Sequence, residues 1–227
     1  MLFRGRGFYG NNGISTPSKN AEPWEPQMPL NRTLRTALVL AATLYPALAY
    51  AHVGVGETSG FAHGFTHPIS GLDHVLAMIL VGVFAFQLGG RALWLVPLSF
   101  VGMMAAGGIM SMNGIHVPLI ELGIALSVIV LGTAVAFEVK APVAIAAGLA
   151  GLFAIFHGYA HVAEMPGGAG GLEYAGGFML STALLHVAGI GLGQVVGRNS
   201  QQAGSYALRV IGSVFALAGV GILSGAL

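Results

Sequence analysis

Residues 67–88 read HPISGLDHVLAMILVGVFAFQL. From Val75 to Leu88 the run is apolar enough to cross a membrane, yet His67, Asp73 and His74 stand at its very edge, where lipid gives a charged or polar side chain no partner. The rest of the chain supports the membrane reading. Of 227 residues, 55% are hydrophobic and only 7% charged, against roughly a quarter charged in an ordinary soluble domain. The 36 glycines lie mostly inside apolar runs, where small residues let helices approach closely. With no cysteine, disulfides, thiolate metal sites and cysteine nucleophiles are excluded, so any metal must be held by nitrogen and oxygen.

Working outward, the fold class expected is an all-α membrane protein, a six-helix transmembrane bundle after a cleavable signal peptide. Residues 1–27, polar and rich in Gly, Asn and Pro, read as a disordered extension or as sequence ahead of the true start at Met28. Residues 28–51 have the layout of a signal peptide: Arg32 and Arg35, an apolar core from Ala37 to Leu48, and the small-x-small end Ala49-Tyr50-Ala51, with cleavage before His52. Residues 52–227 form the six-helix domain, with apolar segments at 69–88, 92–112, 117–137, 141–163, 174–196 and 205–226. The separators are too short to hold a soluble domain. Small residues four apart, such as Gly123 and Ser127, Gly132 and Ala136, Ala144 and Gly148, and Gly189 and Gly193, read as packing positions without chemistry.

Lys and Arg accumulate in cytoplasmic loops. Arg91, Lys140, Arg198 and Arg209 all fall on one side of a six-span arrangement, while Glu57, His63, His67, His116, Glu164 and Glu173 fall on the other. This predicts a multi-pass protein of the inner (plasma) membrane with the mature N-terminus outside.

The second polar cluster is FHGYAHVAE, residues 156–164, at the far end of the fourth segment. His157, His161 and Glu164 recur at i, i+4 and i+7, on one helical face. In the first segment His67, His74 and Met78 form a similar stripe beside Asp73, with Pro68 in the first turn of the helix. The two segments run in opposite directions, so both clusters reach one level of the bilayer. Six such groups need a compensating partner. A divalent cation supplies one, because carboxylates offset its charge while neutral imidazoles donate lone pairs. The expected metal positions are His67, Asp73, His74, His157, His161 and Glu164. Glu121 and His116 share their depth, and His186, near the midplane, is a further station or a packing residue. Imidazole with carboxylate suits Ni, Co, Zn or Mn; the methionines read as core filler rather than copper ligands.

HPISGLDH and FHGYAHVAE resemble the H-P-x-x-G-x-D-H and F-H-G-x-A-H-G-x-E motifs of the HupE/UreJ family of nickel/cobalt transporters, with Val162 where that family usually has Gly. The resemblance implies secondary uptake of Ni²⁺ or Co²⁺ as a transported ion, with no permanently bound cofactor. The lipid bilayer and the ion are the expected partners, nucleic acid is not, and the ion would supply hydrogenase or urease maturation or cobalamin synthesis. No phosphate-binding G-x-x-x-x-G-K-[ST] loop occurs. The competing reading is a membrane-embedded metal-dependent hydrolase, which the absence of H-E-x-x-H disfavours; the carboxylates argue against a haem carrier.

Overall fold

The computed structural model describes residues 60–165, 170–197 and 201–227. The expected extension at 1–27, the signal peptide at 28–51, and the positions His52, Glu57 and Arg198 lie outside the described residues. Those described are helical, with no strand among them: α1 Gly60–Ser70, α2 Leu72–Leu88, α3 Ala92–Met112, α4 Ile120–Ala136, α5 Val143–Ala163, α6 Gly171–Gly197 and α7 Gln201–Leu223. Seven helices thus stand where six were expected.

The additional helix corrects the reading of the opening stretch. Pro68 does not begin the first span; it lies in the last turn of α1, and the chain then bends by 82° into α2. Proline lacks an N–H and its ring crowds the preceding turn. Gly71 follows with an extended backbone (φ −93°, ψ 122°), and α2 starts afresh at Leu72. Residues 60–67 form a helix because Gly60, Gly64 and Pro68, spaced i, i+4, i+8, give α1 one flat, buried face. That face presses on α6, where a Cβ at Gly64 would collide with the Tyr174 carbonyl and one at Gly177 with the Phe61 carbonyl.

Helix α2 is the centre of the bundle. It packs against α3, α4 and α6, and its residues from Leu80 to Ala85 are all buried, which is why this span is apolar on every side. The most extensive pairing is α3 with α5, followed by α4 with α7. Both are glycine contacts: a Cβ at Gly158 would overlap the Met104 carbonyl, one at Gly107 the Ile155 carbonyl, and Gly132 faces Gly212 and Ala216. Gly189 likewise rests on the Ile79 carbonyl of α2. The pair Ala144 and Gly148 differs: both are exposed and a Cβ at Gly148 would meet nothing within 4 Å, so this stripe faces outward rather than another helix. The outer surface is large and apolar, with Trp94, Leu98, Leu152, Val187 and Leu217 all exposed. That is the surface lipid requires.

The helices alternate in direction. Helices α2, α4 and α6 begin at the end that carries the histidines, and α3, α5 and α7 finish there. At the opposite end Lys140 Nζ donates to the Gln87 carbonyl at 3.4 Å, Gln87 Nε2 to the Val135 carbonyl at 3.1 Å, and Arg209 Nε to the Ala136 carbonyl at 3.2 Å. Cationic groups and histidines therefore occupy opposite ends of the bundle.

Candidate metal site

The break between α1 and α2 opens a cleft of about 220 Å³, lined by His67, Ser70, Gly71, Asp73, His74, Glu121, Ile124 and Glu164. His67 and His74 do not form one helical stripe, as expected, but approach from two helices across the bend. Glu164, the residue after α5 ends, reaches across so that its Oε2 lies 3.1 Å from His67 Nε2. Behind the cleft lie His157 and His161, both 0% exposed. The imidazoles are in a chain: ring centres are 5.0 Å apart for His67 and His161, 4.6 Å for His161 and His74, and 4.8 Å for His74 and His157.

Hydrogen bonding fixes which nitrogen His74 and His157 present as neutral donors to a metal. Asp73 Oδ1 accepts from the His74 backbone N–H and from His74 Nδ1–H, both at 2.8 Å, so the lone pair of His74 is on Nε2, which has no partner. Ser127 Oγ donates to the Ile124 carbonyl at 2.6 Å and hence accepts from His157 Nε2–H at 3.0 Å, leaving the His157 Nδ1 lone pair open. Neither nitrogen of His161 has a partner. A buried polar atom left unpaired costs on the order of 1–3 kcal/mol. Unpaired lone pairs on three adjacent imidazoles are thus a sizeable cost for the bundle. A carboxylate or hydroxyl that holds the second nitrogen of an imidazole is the usual support for a metal-binding histidine.

All six expected positions, with Glu121, are brought to this end of the bundle. His116 lies at the same end, in the turn before α4, but it is exposed and does not line the cleft. His186 is buried on α6, deeper than the cleft. Among the described residues no three His, Asp or Glu side chains are already drawn together tightly enough to hold a metal ion. Sequence reasoning missed Ser127, treated only as a small packing residue beside Gly123. In fact Gly123 accommodates the Phe156 ring while Ser127 orients His157. The signal was there: a hydroxyl in an otherwise apolar span at the depth of a buried histidine. The rings that enclose the imidazoles, Phe178 stacked on His161 at 5.1 Å and Phe100 at 5.5 Å from His157, were also not foreseen.

Four helices are long and apolar enough to cross a membrane, and the bent pair α1–α2 adds a fifth candidate. With a polar, histidine-rich cleft at one end, this defines a multi-pass helical membrane protein built around a recessed polar site. Its kinship is narrower. The HupE / UreJ protein family matches residues 40–222. Protein HupE of Rhizobium leguminosarum bv. viciae is 46% identical over 186 residues, covering 82% of this chain and 95% of that protein. The chain belongs to the HupE/UreJ family. No solved structure matches it.

Proposed function

We propose that the protein takes up divalent transition-metal ions, foremost Ni²⁺ and secondarily Co²⁺, through the histidine cleft, with the ion as cargo rather than as a resident cofactor. The observation that carries this reading is the row of open lone pairs on His74, His157 and His161 behind a rim of Asp73, Glu121 and Glu164. The rim carboxylates attract a cation and offset its charge as water is stripped away; the neutral imidazoles then offer nitrogen donors. Ring centres 4.6–5.0 Å apart put successive imidazoles next to one another, so that an ion at one ring is adjacent to the next. His67, Asp73, His74, His157, His161 and Glu164 are the proposed metal positions. Asp73 acts through His74 by holding Nδ1, and Glu164 holds His67 at Nε2 until the ion displaces it.

The one-sided Lys and Arg distribution supports an orientation with the cleft on the outer face of the inner membrane. The delivered ion would serve nickel-enzyme maturation, in hydrogenase or urease, or cobalamin synthesis. The test is uptake of Ni²⁺, Co²⁺, Zn²⁺ and Mn²⁺ into sealed vesicles containing the purified chain. His74→Ala and His161→Ala should each abolish Ni²⁺ uptake while the protein still accumulates in the membrane. Wild-type uptake by both variants would make the cluster structural, and hydrolysis without metal crossing would point to the enzyme reading instead.

A further inference from the structure

His186 is 1% exposed, and neither of its ring nitrogens has a hydrogen-bond partner among the described residues. Ser127 binds His157 and the Ile124 carbonyl, and Thr182 Oγ1, one turn before His186, donates to Met104 Sδ at 3.7 Å; among the described histidines, His186 shares two unpaired ring nitrogens with His161 of the cleft cluster. If His186 served only to fill space, a leucine would fill it without leaving two polar atoms unmet. Its placement suggests another use. Along α6 the buried residues Tyr174, Phe178, Thr182 and His186 follow one another at intervals of four, in a row that winds by about 40° per step. Tyr174 lies 6.1 Å from the His67 ring, and Phe178 stacks on His161. This row therefore follows the imidazole chain inward from the cleft, and His186 is roughly 18 Å along it from Tyr174 at 1.5 Å per residue. Phe100 of α3 touches both groups: its ring centre is 5.5 Å from that of His157 and 5.1 Å from that of His186, at a perpendicular angle to the latter.

We propose that His186 is an inner station for the divalent cation, reached from His157 past the Phe100 ring. This rests on the transport reading above and extends it. Passage through a membrane needs successive sites of modest affinity rather than one tight site. An aromatic ring in contact with both imidazoles leaves little room for water beside them, and the face of such a ring attracts a cation.

The experiment compares the full-length wild type with His186→Leu, which keeps the apolar volume, and His186→Gln, which keeps hydrogen bonding without an imidazole lone pair. Ni²⁺ binding is measured by equilibrium dialysis in detergent and Ni²⁺ uptake in sealed vesicles. Both variants should keep the affinity of the outer cluster within about twofold while uptake falls at least tenfold. At saturating Ni²⁺ the wild type should hold one more ion than His186→Leu. Wild-type uptake in either variant overturns the inner station. So does loss of outer-site binding in both variants, because His186 would then be part of that site. If the wild type binds Ni²⁺ but carries none, the transport reading fails, and stoichiometry alone decides on His186: equal numbers of bound ions refute it.

Discussion

Replacing Gly71 by alanine perturbs the cleft by a single methyl group at the joint between α1 and α2. The backbone there is extended (φ −93°, ψ 122°), a conformation alanine adopts without strain. The added Cβ, however, would lie 2.8 Å from Asp73 Oδ1 and 3.1 Å from His74 Nδ1. An ordinary contact starts near 3.4 Å, so the carboxylate must retreat by about 0.6 Å. A 2.8 Å bond stretched by that amount passes the limit for a useful N–H···O hydrogen bond. His74 would then lose the group that holds Nδ1–H and directs Nε2 into the site. Loss of such a support typically costs about 10–100-fold in metal affinity or activity. Fold stability should move little, by about 1 kcal/mol at most, because the smaller unfolded-state entropy of alanine offsets local crowding. Gly71→Ala should therefore melt in detergent close to wild type, while Ni²⁺ uptake in vesicles and Ni²⁺ affinity by dialysis both fall within that 10–100-fold range. Wild-type affinity and uptake in this variant would refute the idea that the Asp73–His74 pair orients a metal ligand.

Gly158→Leu should push α3 and α5 apart and lower stability by about 1–3 kcal/mol or more, whereas Gly148→Leu, with nothing within 4 Å, should melt like wild type; equal melting of the two would refute the helix pairing. With pH equal on both sides of the vesicle, Ni²⁺ uptake should weaken on acidification, because only the deprotonated imidazole binds metal; uptake that rises as the pH falls would argue against histidine ligands. The chain has no cysteine, so single thiols can be added without background. Asn113→Cys, at the histidine end, should react with an impermeant thiol reagent in intact cells and Val139→Cys should not; the reverse pattern would turn the cleft toward the cytoplasm.

The convergence of His67, Asp73, His74, His157, His161 and Glu164 was legible because two motifs lie at the ends of oppositely directed apolar segments, and few placements satisfy both. Helix α1 was not. Gly60 and Gly64 lower helix propensity, and their use is tertiary, a flat face against α6 that no local pattern encodes. The direction of the glycine stripes was equally opaque: Gly132 meets another helix and Gly148 does not, although both sit four residues from an alanine in apolar segments. His116 and Glu121 are close in sequence, yet Leu119, with a left-handed backbone (φ 58°), intervenes just before α4, and only Glu121 reaches the cleft. Ser127 and the Phe100 ring depend on the pairing of α4 and α3 with α5, which a single sequence does not specify.

The 82° break between α1 and α2 has an electrical consequence. Interrupted backbone is tolerated at membrane depth only where it is buried in protein or borders water, and the groups around Gly71 border a polar cleft. Water in that cleft conducts, so little of the membrane voltage drops across it. The voltage falls instead over the packed stretch beyond His157, where the buried side chains are mainly apolar, with Ser181, Thr182 and His186 the polar ones on α6. A full drop of 100 mV does about 4.6 kcal/mol of work on a divalent ion, from about 2.3 kcal/mol per unit charge. In the proposed orientation, with the cleft outside, concentrating that drop over part of the bundle would steepen the field that draws a cation from the cleft toward the cationic end, without lengthening any helix.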